Sequence, residues 1–137
     1  MSKREIIMQV ITGALTTIPA VDGRVWRGRL SPITDSECPA IAVAWTTETS
    51  QAISDAIDSC ELTVQIDVHV VGEGYETRAD AIVEDAHQVL MRDTVLKLLV
   101  THLRRISGTA RAEESAQNVA VTRTEYLIKY KSDKNHM

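Results

Sequence analysis

The sequence predicts an α+β fold: two main helices on one face of a mostly antiparallel sheet of about five strands. Three observations lead there. Val and Ile together number 26, against 9 Leu, and branching at Cβ suits a pleated surface. Two segments repeat apolar residues every three or four positions, while others alternate with period two. The connections between most alternating segments are hairpin-like, which gives the order αβββαββ. The chain has 137 residues, the size of one ordinary domain with one core. We assign residues 1–131 to that domain and 132–137 to a frayed C-terminal tail.

The elements follow in order. Ser2-Lys3-Arg4-Glu5 fits a capping box, in which each end satisfies a backbone donor of the other. Ile7, Val10, Ile11, Ala14, Leu15 and Ile18 then trace one helical stripe. Helix 1 is expected at about residues 3–17, stopped by Pro19 and a turn ending at Gly23. Arg24 to Leu30 reads as a strand with Val25, Arg27 and Arg29 on one face. A polar loop with two prolines leads to a strand from Ala40 to Thr47. There Ile41, Val43 and Trp45 face one way; Ala40, Ala42 and Ala44 face the other, small enough for a helix to pack closely on them. Glu48 to Ser59 has weak periodicity and reads as a long mobile loop, a length uncommon without a job.

Glu61 to Val71 is the clearest strand. Leu62, Val64, Ile66, Val68 and Val70 alternate with Thr63, Gln65, Asp67 and His69, as in a sheet covered on one side. Gly72-Glu73-Gly74 ends it, and Thr77 is the expected cap of helix 2. Its stripe is Ala79, Ile82, Val83, Ala86, Val89 and Leu90, running to about Arg92, with a helical turn restarting at Asp93 or Thr94. His102 to Ala112 and Asn118 to Lys131 are the last two strands.

Net charge is −4, and its distribution says more. No Lys or Arg stands between Arg29 and Arg78, a stretch that holds nine acids. All 15 basic residues lie elsewhere, with ten acids, a net of +5 for those segments. A phosphate-gripping protein usually shows a basic patch, and only five aromatics are present for base stacking. Separate acidic and basic regions suit ordinary solvated faces, or head-to-tail self-association that closes into a ring. Arg24, Arg27 and Arg29 stand out. With Arg104 and Arg105 on a later strand they could make a basic strip on the sheet or its edge, which fits edge-strand protection, a subunit interface with the acidic loop, or nucleic-acid contact.

Signals for chemistry are sparse. The histidines His69, His87, His102 and His136 lack metal-ligand spacing. Asp67 and His69 share a strand face and could orient a general base, against the plain reading of a solvated face. His87 sits off the apolar stripe and reads as exposed. There is no nucleophile elbow, P-loop or dinucleotide fingerprint. Cys38 and Cys60 read as two free thiols. No catalytic residue, metal ligand or cofactor site is assigned. No apolar run is long enough to cross a membrane, no signal peptide is recognised, and the expected compartment is the cytoplasm.

The order of these segments resembles a known family. The opening helix followed by Ile18-Pro19-Ala20-Val21 and Gly23-Arg24-Val25-Trp26 is similar to the start of phage tail terminator, or tail-completion, proteins of the lambda minor tail protein U type. So are Glu37-Cys38-Pro39-Ala40-Ile41-Ala42-Val43, the long loop, the alternating strand, the helix reaching Leu90-Met91-Arg92-Asp93, and the close on Thr124-Glu125-Tyr126-Leu127-Ile128-Lys129-Tyr130. The resemblance covers nearly the whole chain, through diffuse motifs.

The resemblance implies a structural protein, not an enzyme. Such proteins form a homo-hexameric ring on the head-proximal end of the tail tube, stop tube polymerisation and present the surface that meets the head-tail connector protein. DNA passes through the ring without sequence readout. The location implied is the host cytoplasm during assembly, then the virion tail. On this basis Arg24, Arg27 and Arg29 of one subunit are expected to meet Glu48, Asp55, Asp58 and Glu61 of the next. The rival readings are a neck adaptor protein, a small dimeric regulatory or nucleic-acid-binding module, and a small α+β enzyme using His69 and Asp67.

Overall fold

A computed structural model of the chain describes residues 1–112 and 119–133. The element order is α1 (Lys3–Leu15), β1 (Val25–Arg27), β2 (Ala40–Ala52), β3 (Ile57–Val71), α2 (Tyr75–Arg92), α3 (Thr94–Leu99), β4 (His102–Ala112) and β5 (Val119–Asp133). Short 3-10 turns at Pro19–Val21 and Asp35–Glu37 punctuate the first third. The five strands form one sheet in the order β1-β2-β3-β5-β4. Every pairing is antiparallel except β1 with β2, which is parallel. The fold is therefore the expected α+β arrangement, with the helices on one face.

The core follows from the two periodicities. In α1, Ile7, Met8, Ile11 and Leu15 are buried, with Val10 and Ala14 packed at their margin. Met8 lies just outside the stripe read from spacing. In α2 the buried residues are Ala79, Ile82, Ala86 and Leu90, with Val83 and Val89 beside them. They meet the even-numbered side of β3 from Cys60 to Val70 and the β5 residues Tyr126, Ile128 and Tyr130. Cross-strand register puts Leu62 beside Ile128 and Val64 beside Tyr126. Each such buried aliphatic or aromatic side chain contributes roughly 1.5–3 kcal/mol.

Caps set the helix ends, in part differently from the sequence reading. Ser2 Oγ accepts the Glu5 backbone N–H at 3.1 Å, but the Glu5 carboxylate turns to Arg27 instead of closing the box. Asp93 caps α3 by accepting the Leu96 N–H at 2.8 Å. Thr77 does not cap α2, which begins at Tyr75 after Gly74 in the left-handed region at φ 73°. Glycine takes that conformation without a Cβ penalty. Arg78 holds the reversal, donating to the carbonyls of Val71 and, at 2.8 Å, Glu73.

Three further expectations are corrected. The first strand is short, Val25–Arg27, because Gly28 turns left-handed at φ 64° and ends the pairing. The segment Glu48 to Ser59 is not a long loop. β2 runs on to Ala52 and β3 starts at Ile57, so only residues 53–56 turn. Its period-two signal is weak because residues on both faces of β2 are exposed there. The alanine face of β2 is not beneath a helix: Ala42 lines a cleft with Pro32 and Ile33, so the segment after Gly28 crosses over it.

The final strand continues to Asp133, with Ser132 buried opposite Asp58. The expected frayed tail otherwise falls on 134–137, outside the described residues, as do Asn118 and His136. No described helix is long and apolar enough to cross a membrane.

Candidate interaction surface

A change of phase in β2 builds the most distinctive polar site. From Ala40 to Trp45 the odd residues face the helices: Ile41 pairs with Val68, Val43 with Ile66 and Trp45 with Val64. The register shifts between Trp45 and Thr47, so one extra residue sits in β2. Beyond it the even residues face the helices, and Glu48 pairs with Leu62. A carboxylate that simple alternation would place on the open face is thereby turned inward.

The first turn of α1 meets it there. Glu48 forms an ion pair with Arg4 and accepts the Tyr130 hydroxyl. The Arg4 guanidinium also lies 4.3 Å from the centre of the Trp45 ring. Lys3 donates to the Lys131 carbonyl at 2.8 Å. Burial and the Glu48 carboxylate both push the Tyr130 phenol above its usual range. These contacts clamp the upper half of the hairpin to the helix layer.

The three arginines singled out from sequence each have partners within the chain. Arg27 grips Glu5 through two hydrogen bonds of 2.6 and 2.9 Å. Arg29 grips Glu37 at 2.7 and 2.6 Å and stacks 4.6 Å from the Trp26 ring centre. Glu37 also accepts the backbone and hydroxyl of Thr34, at 3.0 and 2.9 Å. The Arg29 hydrogen bond and then those of Thr34 hold its carboxyl down at about 2. Arg24 donates to the Pro39 carbonyl at 2.9 Å and lies 3.7 Å from Asp22.

The expected acids lie on the β2–β3 hairpin. Asp55 is exposed in the turn, Asp58 sits in β3 opposite Ala52, and Glu61 lies 3.6 Å from Lys129. Ile53 and Ile57 flank the turn at 56% and 40% exposure. Neither Asp55 nor Glu61 forms an ion pair with Arg24, Arg27 or Arg29 of the same chain among the described residues.

The Asp67–His69 pair is not a solvated face. Both are buried, at 8% and 6% exposure. Arg123 donates to both Asp67 oxygens, at 2.8 and 3.0 Å. The His69 Nδ1 is 3.3 Å from the Asp67 carbonyl. They border a cleft of about 260 Å³ under the 29–33 segment. The carboxylate is thus held by a guanidinium rather than aimed at the imidazole, which gives no general-base pair. His87 is half-buried instead of exposed, stacked on Tyr126 with Nδ1 at 3.0 Å from its hydroxyl. Burial first, against a nearby Arg105, pushes that phenol up to about 12.

Cys38 and Cys60 are both free. Burial, then Asp35 and Glu37, push the Cys38 thiol up, the reverse of nucleophile activation. No group of three or more metal-ligating side chains occurs among the described residues.

Sequence reading misses Arg4, Tyr130 and, in β4, Arg111, while it groups Arg104 and Arg105 with the first-strand arginines. Arg104 is exposed with no ion-pair partner among the described residues, Arg111 borders the cleft beside Asp67 and His69, and Arg105 reaches Glu84 at 2.8 Å.

Comparison with known proteins adds fold information. No family model matches the chain. No curated protein sequence matches it. Among solved structures, a chain of the virion of a native gene transfer agent (GTA) particle is similar, with a TM-score of 0.56 and 15% identity. The match covers 92% of this chain and 92% of that one, so the likeness extends over the whole α+β domain and is one of fold.

Proposed function

We propose that the chain is a structural protein of a phage-type particle that closes into a homo-hexameric ring on the head-proximal end of the tail tube. There it stops tube polymerisation and presents the surface that joins the head-tail connector protein. DNA passes through without being read. The protein works by fit, not by catalysis; it assembles in the host cytoplasm and ends in the virion tail.

The observation that carries this reading is the fold likeness to a GTA virion chain across nine-tenths of both chains. The sequence resemblance to tail terminators supports the finer assignment. The in-chain use of Asp67 and His69, each tied into the sheet, speaks against the enzyme alternative. A ring also gives the charge separation a use: an acidic flank of one copy meets a basic flank of the next. The acids Asp55, Asp58 and Glu61 form the acidic side of that contact. Its basic side is Arg24, Arg27 and Arg29.

The test is mass in solution by light scattering across a range of concentrations, followed by electron microscopy of tail tubes. The expected result is six copies of the 15.2 kDa chain, or a monomer assembling towards six, found at one end of tubes of defined length. A ring that binds the connector and ignores tubes converts the reading to a neck adaptor. A concentration-independent monomer that binds neither is incompatible with the proposal.

A further inference from the structure

This inference rests on the ring reading and names the contact by which one copy holds the next. Two apolar features stand uncovered at the two ends of the upper half of β2. The first is a groove. β1 stops before Gly28, and beside its end the edge of β2 opens into a cleft of about 390 Å³ lined by Arg27, Gly28, Val43, Ala44 and Trp45. The Trp45 indole is 40% exposed there, a large apolar surface left in water. The second feature is the hairpin tip, where Ile53 and Ile57 stand exposed on either side of residues 54–56.

A tip cannot fill its own groove. Ala44 lies within β2 and Ile53 just past its end, which separates them by roughly 25 Å of extended backbone. An isoleucine tip seated in the groove therefore belongs to another molecule.

Charge selects a second copy as that molecule. Cations rim the groove: Arg27 on one side and, on the other, Arg4, 4.3 Å from the centre of the Trp45 ring. The hairpin from Glu48 to Glu61 carries four acids and no base. Asp55 at its tip is exposed and has no ion-pair partner among the described residues. Glu5 takes two hydrogen bonds from Arg27, and a guanidinium has five N–H donors, so donors remain for a second carboxylate. Arg29 borders the open-face cleft and Arg24 stands at the other end of β1. Of the three arginines, Arg27 is the one placed to meet a seated tip.

We propose that the hairpin tip of one copy docks in the groove at the end of β1 in the next, with Ile53 against Trp45 and Ala44 and Asp55 at Arg27. The apolar anchor supplies the affinity and the ion pair the orientation. Each copy gives one tip and takes one. That is a head-to-tail contact, which forms a ring when the rotation between neighbours closes. The same two patches exchanged reciprocally would instead give a two-fold pair.

Cysteines at the two contact points test this in the full chain. Ile53→Cys with Ala44→Cys, in a Cys38→Ser background that leaves only the buried Cys60, is put under mild copper-catalysed oxidation. The expected result on a non-reducing gel is a ladder of linked species ending at six copies. Either new cysteine alone gives no ladder, because it allows one link per copy. In light scattering, Ile53→Asp is expected to weaken assembly about tenfold or more and Asp55→Lys about threefold. Both positions are exposed, and circular dichroism checks that each variant folds.

A wild-type hexamer that gives no ladder, or whose mass survives Ile53→Asp, overturns the tip-in-groove contact and leaves the ring standing. If only Asp55→Lys is without effect, the pairing with Arg27 is wrong. A ladder that ends at two copies, with a dimeric wild type, means reciprocal exchange and overturns the head-to-tail contact and the ring. A wild-type chain that stays monomeric at the highest attainable concentration, alone and on tail tubes, overturns both as well.

Discussion

The two halves of the β2–β3 hairpin are the same pair of strands held by different physics. In the lower half, Ile41, Val43, Ile66 and Val68 are at most 1% exposed beneath the helices. Hydrophobic burial alone fixes them. In the upper half, most of β2 is exposed. There the hairpin is anchored by Glu48, received by Arg4 and Tyr130, with Cys60 and Leu62 buried alongside. The lower half is a core; the upper half is an arm tied by one polar clasp. Apolar packing gives the fold its stability, and the clasp gives the arm its direction.

The largest expected effect is in the lower half. Ile66→Ala removes a fully packed side chain and is expected to cost about 3 kcal/mol through lost burial and a residual cavity. Urea unfolding followed by circular dichroism reads it. A loss below about 1 kcal/mol would mean that the core closes around the gap.

Cutting the clasp comes next. Glu48→Ala leaves the Tyr130 hydroxyl and the Arg4 guanidinium without their shared acceptor and is expected to cost about 2 kcal/mol. Amide exchange separates it from a core defect: protection should fall from residue 46 to 60 and persist from 64 to 70. Uniform loss along both strands would erase the distinction between arm and core.

A third, pH-dependent effect belongs to the 29–38 segment that crosses the open face. The Glu37 carboxyl is held down at about 2 by Arg29 and Thr34. A depressed folded pKa means the contribution is complete above the unfolded value of about 4.3 and is lost as pH falls towards 2. The segment should therefore loosen across that window, seen as rising exchange at the Thr34 amide. Glu37→Gln should remove the pH dependence. The smallest effect is expected at the arm's tip, where Ile57→Ser at a 40% exposed position should change stability by no more than about 0.5 kcal/mol.

Most of the lower body was legible in the sequence because one-sided burial writes a period. Leu62 to Val70 alternates over a covered sheet face, and Ala79 to Leu90 recurs at helical spacing over the same core. The arm was illegible for the converse reason. With both faces of β2 open from Thr49 to Ala52, no position there is selected for apolarity, so Thr, Ser and Gln read as a loop. Burial of Asp67 and His69 was hidden as well, since their cover is the irregular segment after Gly28. The Glu48 clasp depends on a register shift that alternation cannot anticipate, and on α1 residues more than forty positions away.

The extra residue between Trp45 and Thr47 also has a consequence for how this strand tolerates change. Below it, odd positions of β2 meet the helix layer; above it, even positions do. Random substitution along β2 should therefore produce two out-of-step combs of sensitive sites, with the teeth changing parity at Thr46. Deleting that one residue would bring the combs into step, with Glu48 still opposite Leu62 on the helix face. The arm would lose the local twist of the bulge and keep the face by which Glu48 holds it to the body.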